Sequence, residues 1–138
     1  MSTAPRFLWR YGPAAAMVLL IPALSLLPAR FFRHIAVQPN FPGMDKLVHA
    51  LMYAVLTAAL FHALSPSERV RRSVALRLAL GASLYGLAME FCQKLLTHSR
   101  SCDPLDAFAN LAGAFATVLL ACAWSRRQSR LASRRESA

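Results

Sequence analysis

The run from Tyr11 to Ala29 carries no charged side chain over 19 residues, and three more apolar blocks follow it. Leu47 to Leu64 has only His49 and His62 as basic or acidic groups, while Leu78 to Met89 and Ala107 to Trp124 have none. A helix rises about 1.5 Å per residue, so about 20 apolar residues span the roughly 30 Å of hydrocarbon in a bilayer. The apolar residues here come in blocks, not at the one-sided spacing by which a water-soluble helix buries a single face. The third block reaches the required length when it is extended from Val74 to Leu96, with Glu90 and Gln93 as polar insertions near one end and Arg77 snorkelling near the other. The expected fold class is therefore all-α and integral to a membrane. A four-helix domain covers residues 1–125, with transmembrane spans near 11–29, 47–64, 74–96 and 105–124, and the basic tail 126–138 is expected to be disordered.

The net charge is +10, from 16 Lys and Arg against 6 Asp and Glu. These basic residues lie between or after the apolar spans, without interleaved aromatics, so they are read as topology signals and no nucleic-acid partner is expected. Eleven of them fall in the N-terminus (Arg6, Arg10), the second loop (Arg69, Arg71, Arg72, Arg77) and the tail (Arg126, Arg127, Arg130, Arg134, Arg135). The first and third loops hold five: Arg30, Arg33, Lys46, Lys94 and Arg100. By the positive-inside rule both termini are expected in the cytoplasm, and the tail is expected to contact anionic headgroups. An alternative makes the first span a signal peptide, with Ala23-Leu24-Ser25 as a small-x-small cleavage site. Cleavage there would leave the orientation of the other spans unchanged.

Ser65-Pro66-Ser67-Glu68 and Asp103-Pro104-Leu105-Asp106 share one helix-start pattern: an oxygen-bearing cap, proline at the first helical position, and a carboxylate at the third. The first is expected to open a short helix before the third span, and the second opens the fourth span. Asp106, Asn110, Gly113 and Thr117 then form a polar or small stripe. Ala82, Gly86 and Glu90 make a small-xxx-small track on the third span, and Ala50, Ala54 and Ala58 make another on the second. These stripes imply a compact bundle of spans two, three and four. The first loop, Arg30 to Met44, contains Pro39, Pro42 and Gly43 and either covers that bundle or does not. Cys92, Cys102 and Cys122 are too few for a zinc site or a disulfide framework, although Cys92 and Cys102 are both placed near the outer face, where a disulfide is chemically allowed.

Nine polar or charged residues fall at one end of these spans: Asp45, Lys46, His49, Glu90, Gln93, Arg100, Asp103, Asp106 and Asn110. A charge at membrane depth costs several kcal/mol unless it is partnered, so such a cluster is by default a binding site. Asp45 and His49 are one helical turn apart, and a carboxylate there can orient the imidazole. Glu90 and Lys94 have the same spacing and can pair with each other. Arg100 can clamp a phosphate or carboxylate, or pair with Asp103 or Asp106.

Asp45-Lys46-x-x-His49 opening one span, Glu90-x-x-Gln93 closing the next, and Arg100-x-x-Asp103-x-x-Asp106-x-x-x-Asn110-x-x-Gly113 leading into the last resemble the VanZ-like family of small bacterial membrane proteins. The resemblance covers about residues 45–117. It implies a four-helix, multi-pass protein of the bacterial cytoplasmic (inner) membrane, in a family whose founding member is linked to resistance to the glycopeptide antibiotic teicoplanin, and it implies no established reaction. The chain departs from the family pattern at His98-Ser99, where Pro-Gly is common, at Ala50, where an aromatic is common, and at Thr117, where a second glycine is common.

Two function classes follow for an outward-facing cluster in the cell envelope. In one, the site binds or modulates an anionic component such as a lipid-linked phosphate, with Lys46, Arg100 and His49 contacting the anion while Glu90, Asp106 and Asn110 hold them. In the other, it is an enzyme site on a lipid headgroup or wall precursor, with His49, Glu90 and Asp106 as the candidate catalytic residues. A purely structural network tying helix ends together is a third reading. No cofactor is expected. A divalent-metal site from Asp45, His49, Glu90 and Asp103 or Asp106 has the necessary donors but no ligand-spacing motif, so no metal is expected.

Overall fold

The computed structural model describes residues 4–26, 43–69, 71–96 and 103–136. Every regular element among them is helical: α1 (Ala4–Leu26), α2 (Met44–Ala63), the single turn α3 (Pro66–Arg69), α4 (Arg72–Leu96) and α5 (Pro104–Glu136). All but α3 are long and apolar enough to cross a membrane. Their outer faces agree with this, since Leu19 and Leu120 are each 72% exposed and Phe108 is 67% exposed. Large apolar side chains displayed this widely suit contact with lipid and not with water.

The bundle is organised on the small-residue stripes. Helices α2 and α5 run in the same direction, with His49 beside Asn110, Ala50 against Gly113 and Ala54 against Thr117. A Cβ on Gly113 would collide with the backbone carbonyl of Ala50, so only glycine permits this approach. Helix α4 runs the other way and contributes buried Ala75, Ala79, Ala82, Gly86 and Glu90, with Gly86 facing Tyr53 of α2 and Asn110 of α5. Ala58, the last residue of the α2 track, is exposed.

The first helix belongs to the same core. Ile21 is fully buried beside Tyr53, Leu56, Ala82, Met89 and Ala114. The Tyr85 hydroxyl donates to the Val18 carbonyl (2.7 Å), and Gln93 Nε2 donates to the Ser25 carbonyl (3.1 Å). At the opposite end of the bundle, Arg10 Nε donates to the Ala63 carbonyl at 2.7 Å. Helix α1 starts at Ala4, ahead of the expected 11–29 span, and it contains Pro13 and Pro22. Prolines inside a helix forfeit hydrogen bonds but are tolerated in membrane spans.

One other boundary differs from expectation. The basic tail, expected to be disordered, continues α5 without interruption to Glu136. After Gly113 the chain contains neither glycine nor proline, and extending an existing helix carries no nucleation cost. Between α2 and α4, Glu68 accepts hydrogen bonds from both the Ser65 amide (2.8 Å) and the Ser65 hydroxyl (2.6 Å), closing α3 as its serine-to-glutamate pattern leads one to expect. Those two donors hold the Glu68 carboxyl below its usual range.

Candidate functional site

The site lies where the N-termini of α2 and α5 meet the C-terminal part of α4. Gly43 enters α2 with φ 87°, a left-handed conformation that glycine adopts without strain, and thereby fixes where the helix begins. Asp45, Lys46 and His49 follow in its first two turns. On α5, Asp103 caps the helix by accepting from the Leu105 amide at 2.9 Å, which places Asp106 in the first turn and Asn110 one turn further in. The partial positive charge of two helix N-termini favours carboxylates at this end.

Lys46 is the hub of the outer layer. Its Nζ donates to Asp45 Oδ2 (2.8 Å), Asp103 Oδ2 (3.0 Å) and Asp106 Oδ1 (3.3 Å). An ammonium has three N–H donors, so these carboxylates use all of them. The Leu105 amide and the Lys46 ammonium together hold the Asp103 carboxyl below its usual range.

The inner layer is built around His49. Its Nδ1 lies 3.1 Å from Asn110 Oδ1 and 3.6 Å from Glu90 Oε1, and its Nε2 lies 3.9 Å from Asp106 Oδ2. Glu90 is 1% exposed and lies beside the Asn110 side chain, and among the described residues its Oε2 has no hydrogen bond of good geometry. Among the described residues, Asn110 Nδ2 and the Tyr53 hydroxyl are likewise buried without a hydrogen bond of good geometry. An unpaired buried polar group costs several kcal/mol at the upper end of the measured range, and more when it is charged. Gly86, one turn from Glu90, makes room for this arrangement: a Cβ there would stand 3.0 Å from Asn110 Nδ2 and 3.1 Å from Tyr53 Cε1.

Several expected pairings are rearranged. Asp45 does not orient His49; it is exposed and turns to Lys46, and the carboxylates nearest the imidazole come from Glu90 and Asp106 on other helices. Glu90 faces inward to His49, whereas Lys94 is exposed on the outer surface, so the one-turn spacing between them produces no ion pair. Gln93 is buried and ties α4 to α1 through Ser25. Arg100 lies outside the described residues, as do Cys102, the proposed partner of Cys92, and the first loop up to residue 42.

The structure also adds Tyr53, which was absent from the expected site. It is 1% exposed and lies one turn beyond His49 on the same face of α2, a spacing visible in the sequence but shared by ordinary core tyrosines. Sequence comparisons give no further guide: no family model, no curated protein and no solved structure matches the chain.

Proposed function

We propose that the chain is a VanZ-like multi-pass protein of the bacterial cytoplasmic membrane, with both termini in the cytoplasm and its polar cluster facing outward. The cluster engages an anionic cell-envelope component, such as a lipid-linked phosphate, within reach of the membrane surface. The observation that carries this reading is Glu90, a carboxyl group 1% exposed at the junction of three helices, with one oxygen that lacks a hydrogen bond of good geometry among the described residues. A network serving only to hold helix ends together gains nothing from an unsatisfied buried oxygen; as an acceptor-only group, that oxygen would receive a donor or cation that accompanies the ligand, not the anionic group itself.

The wiring of Lys46 refines the proposal. Its three donors are taken by carboxylates, so an incoming anion must displace one of them or find its positive charge elsewhere. A second reading, acid/base chemistry on the bound headgroup, is favoured by His49, whose two ring nitrogens each face a carboxylate from a different helix. Mass-spectrometric profiling of lipids and wall precursors tests both readings, using cells that lack the protein and are complemented with wild type or with equally abundant Asp106→Ala. A species that changes with wild type alone supports a headgroup site. Identical profiles with both stably inserted proteins refute it.

A further inference from the structure

The inner layer of the cluster brings together possible ligand atoms from three helices. One ring nitrogen of His49 and one oxygen each of Glu90 and Asp106 lie within 4.8 Å of one another. Ligand atoms on one tetrahedral ion with bonds of about 2.1 Å sit about 3.4 Å apart, so the three side chains must close by up to about 1.4 Å to hold one ion. We propose that His49, Glu90 and Asp106 bind a divalent cation of the zinc or manganese class, leaving one coordination position open toward the outer surface. This deepens the headgroup reading, and rests on it only for the identity of the fourth ligand, an oxygen of the anionic headgroup.

Several independent features support the assignment. Glu90 is 1% exposed with its Oε1 3.6 Å from His49 Nδ1, and among the described residues its Oε2 has no hydrogen bond of good geometry, so a cation drawn into the cluster would find an acceptor there. Asp106 divides its two oxygens: Oδ1 is held by Lys46 at 3.3 Å, while Oδ2 faces His49 Nε2 at 3.9 Å. Asn110 Oδ1 lies 3.1 Å from His49 Nδ1. If Nδ1 carries the proton and donates it to Asn110, the lone pair of Nε2 is left directed toward Asp106, and Glu90, whose Oε1 is 3.6 Å from Nδ1, must swing toward Nε2 to share the ion. A divalent cation also offsets most of the excess negative charge, since four carboxylates face the single Lys46 ammonium in this cluster. It supplies the positive charge that Lys46, already shared among three carboxylates, does not offer. The ligands come from three helices and are separated by 41 and 16 positions in the sequence, so no short motif announces them.

The test uses the full chain in detergent, stripped with EDTA and titrated with zinc chloride under equilibrium dialysis, with bound metal counted by mass spectrometry. One zinc ion per chain is expected. His49→Ala and Asp106→Asn should each weaken binding by about 100-fold or more, Asn110→Ala by about 10- to 100-fold, and the remote His62→Ala by less than about twofold. Manganese loaded into the wild-type protein provides a readout independent of any variant's folding: pulsed electron paramagnetic resonance should show coupling to an imidazole nitrogen, retained in His62→Ala. Absence of bound zinc, binding unchanged in both His49→Ala and Asp106→Asn, or manganese without nitrogen coupling would each overturn the site. Phosphatidic acid in nanodiscs separates this inference from the one beneath it. Zinc binding with no response to phosphatidic acid supports the metal site and refutes the headgroup reading. Phosphatidic acid binding that is indifferent to EDTA overturns the metal's part in it and leaves that reading standing.

Discussion

Replacing Gly113 with alanine adds one methyl group at the closest approach of α2 and α5. That methyl would collide with the Ala50 carbonyl, a backbone group that cannot turn aside as a side chain can. Restoring ordinary contact requires α2 to withdraw by about 1 Å, and overpacking of this kind costs about 1 to 3 kcal/mol. In water the change from glycine to alanine would return about 1 kcal/mol of helix propensity, but in a membrane the separated spans are already helical and that gain is absent. The same withdrawal acts on the register that holds His49 to Asn110 at 3.1 Å and Lys46 to Asp103 at 3.0 Å, so stability and site geometry should be lost together. Thermal unfolding in detergent, followed with a thiol-reactive dye that reports exposure of half-buried Cys92 and Cys122, measures the loss. Gly81→Ala is the control, because a Cβ there meets nothing within 4 Å, and it should stay within about 0.5 kcal/mol of wild type. Equal melting of Gly113→Ala and Gly81→Ala would refute the close packing on which the site depends.

Lys46→Met leaves Asp45, Asp103 and Asp106 without their shared cation, so it should lower the melting temperature more than Asp45→Asn, which removes only one exposed partner; the reverse order in the same dye assay would show that Lys46 is not the hub. Asp103 gives a pH dependence: its folded-state pKa is depressed, so its contribution to stability is present above the unfolded value of about 3.9 and is lost as pH falls through the lower folded value. Melting temperatures measured between pH 6 and pH 3 should therefore drop at the acidic end for wild type and drop less steeply for Asp103→Asn, and superimposable curves would count against the assignment.

Much of the fold was legible because each clue acts within one helix. Charge-free blocks of the right length gave four helices that can span a membrane, and the stripe from Asp106 through Gly113 to Thr117 marked the face of α5 that meets α2. The cap at Asp103 was likewise written locally. The pairings within the site were not, because they depend on how three helices are rotated against one another. One-turn spacing joined Asp45 to His49 and Glu90 to Lys94 on paper, but Asp45 and Lys94 sit on exposed faces and Glu90 on a buried one. Helix α1 carried no stripe that singled out its Ile21 and Ser25 contacts with the bundle, and the polarity of the tail hid its ability to continue α5 as a helix.

The account stands most directly on Glu90, and the decisive measurement is to compare Glu90→Gln with wild type in both thermal stability and envelope-lipid profile. Glutamine keeps the shape of the side chain and removes the acid group, including its capacity to ionise or to hold a cation. A functional cluster predicts unchanged or higher melting temperature with the wild-type lipid change abolished, the pattern of a site maintained at the expense of stability. A lower melting temperature with an intact lipid profile would contradict it and leave Glu90 as a structural brace between α2, α4 and α5.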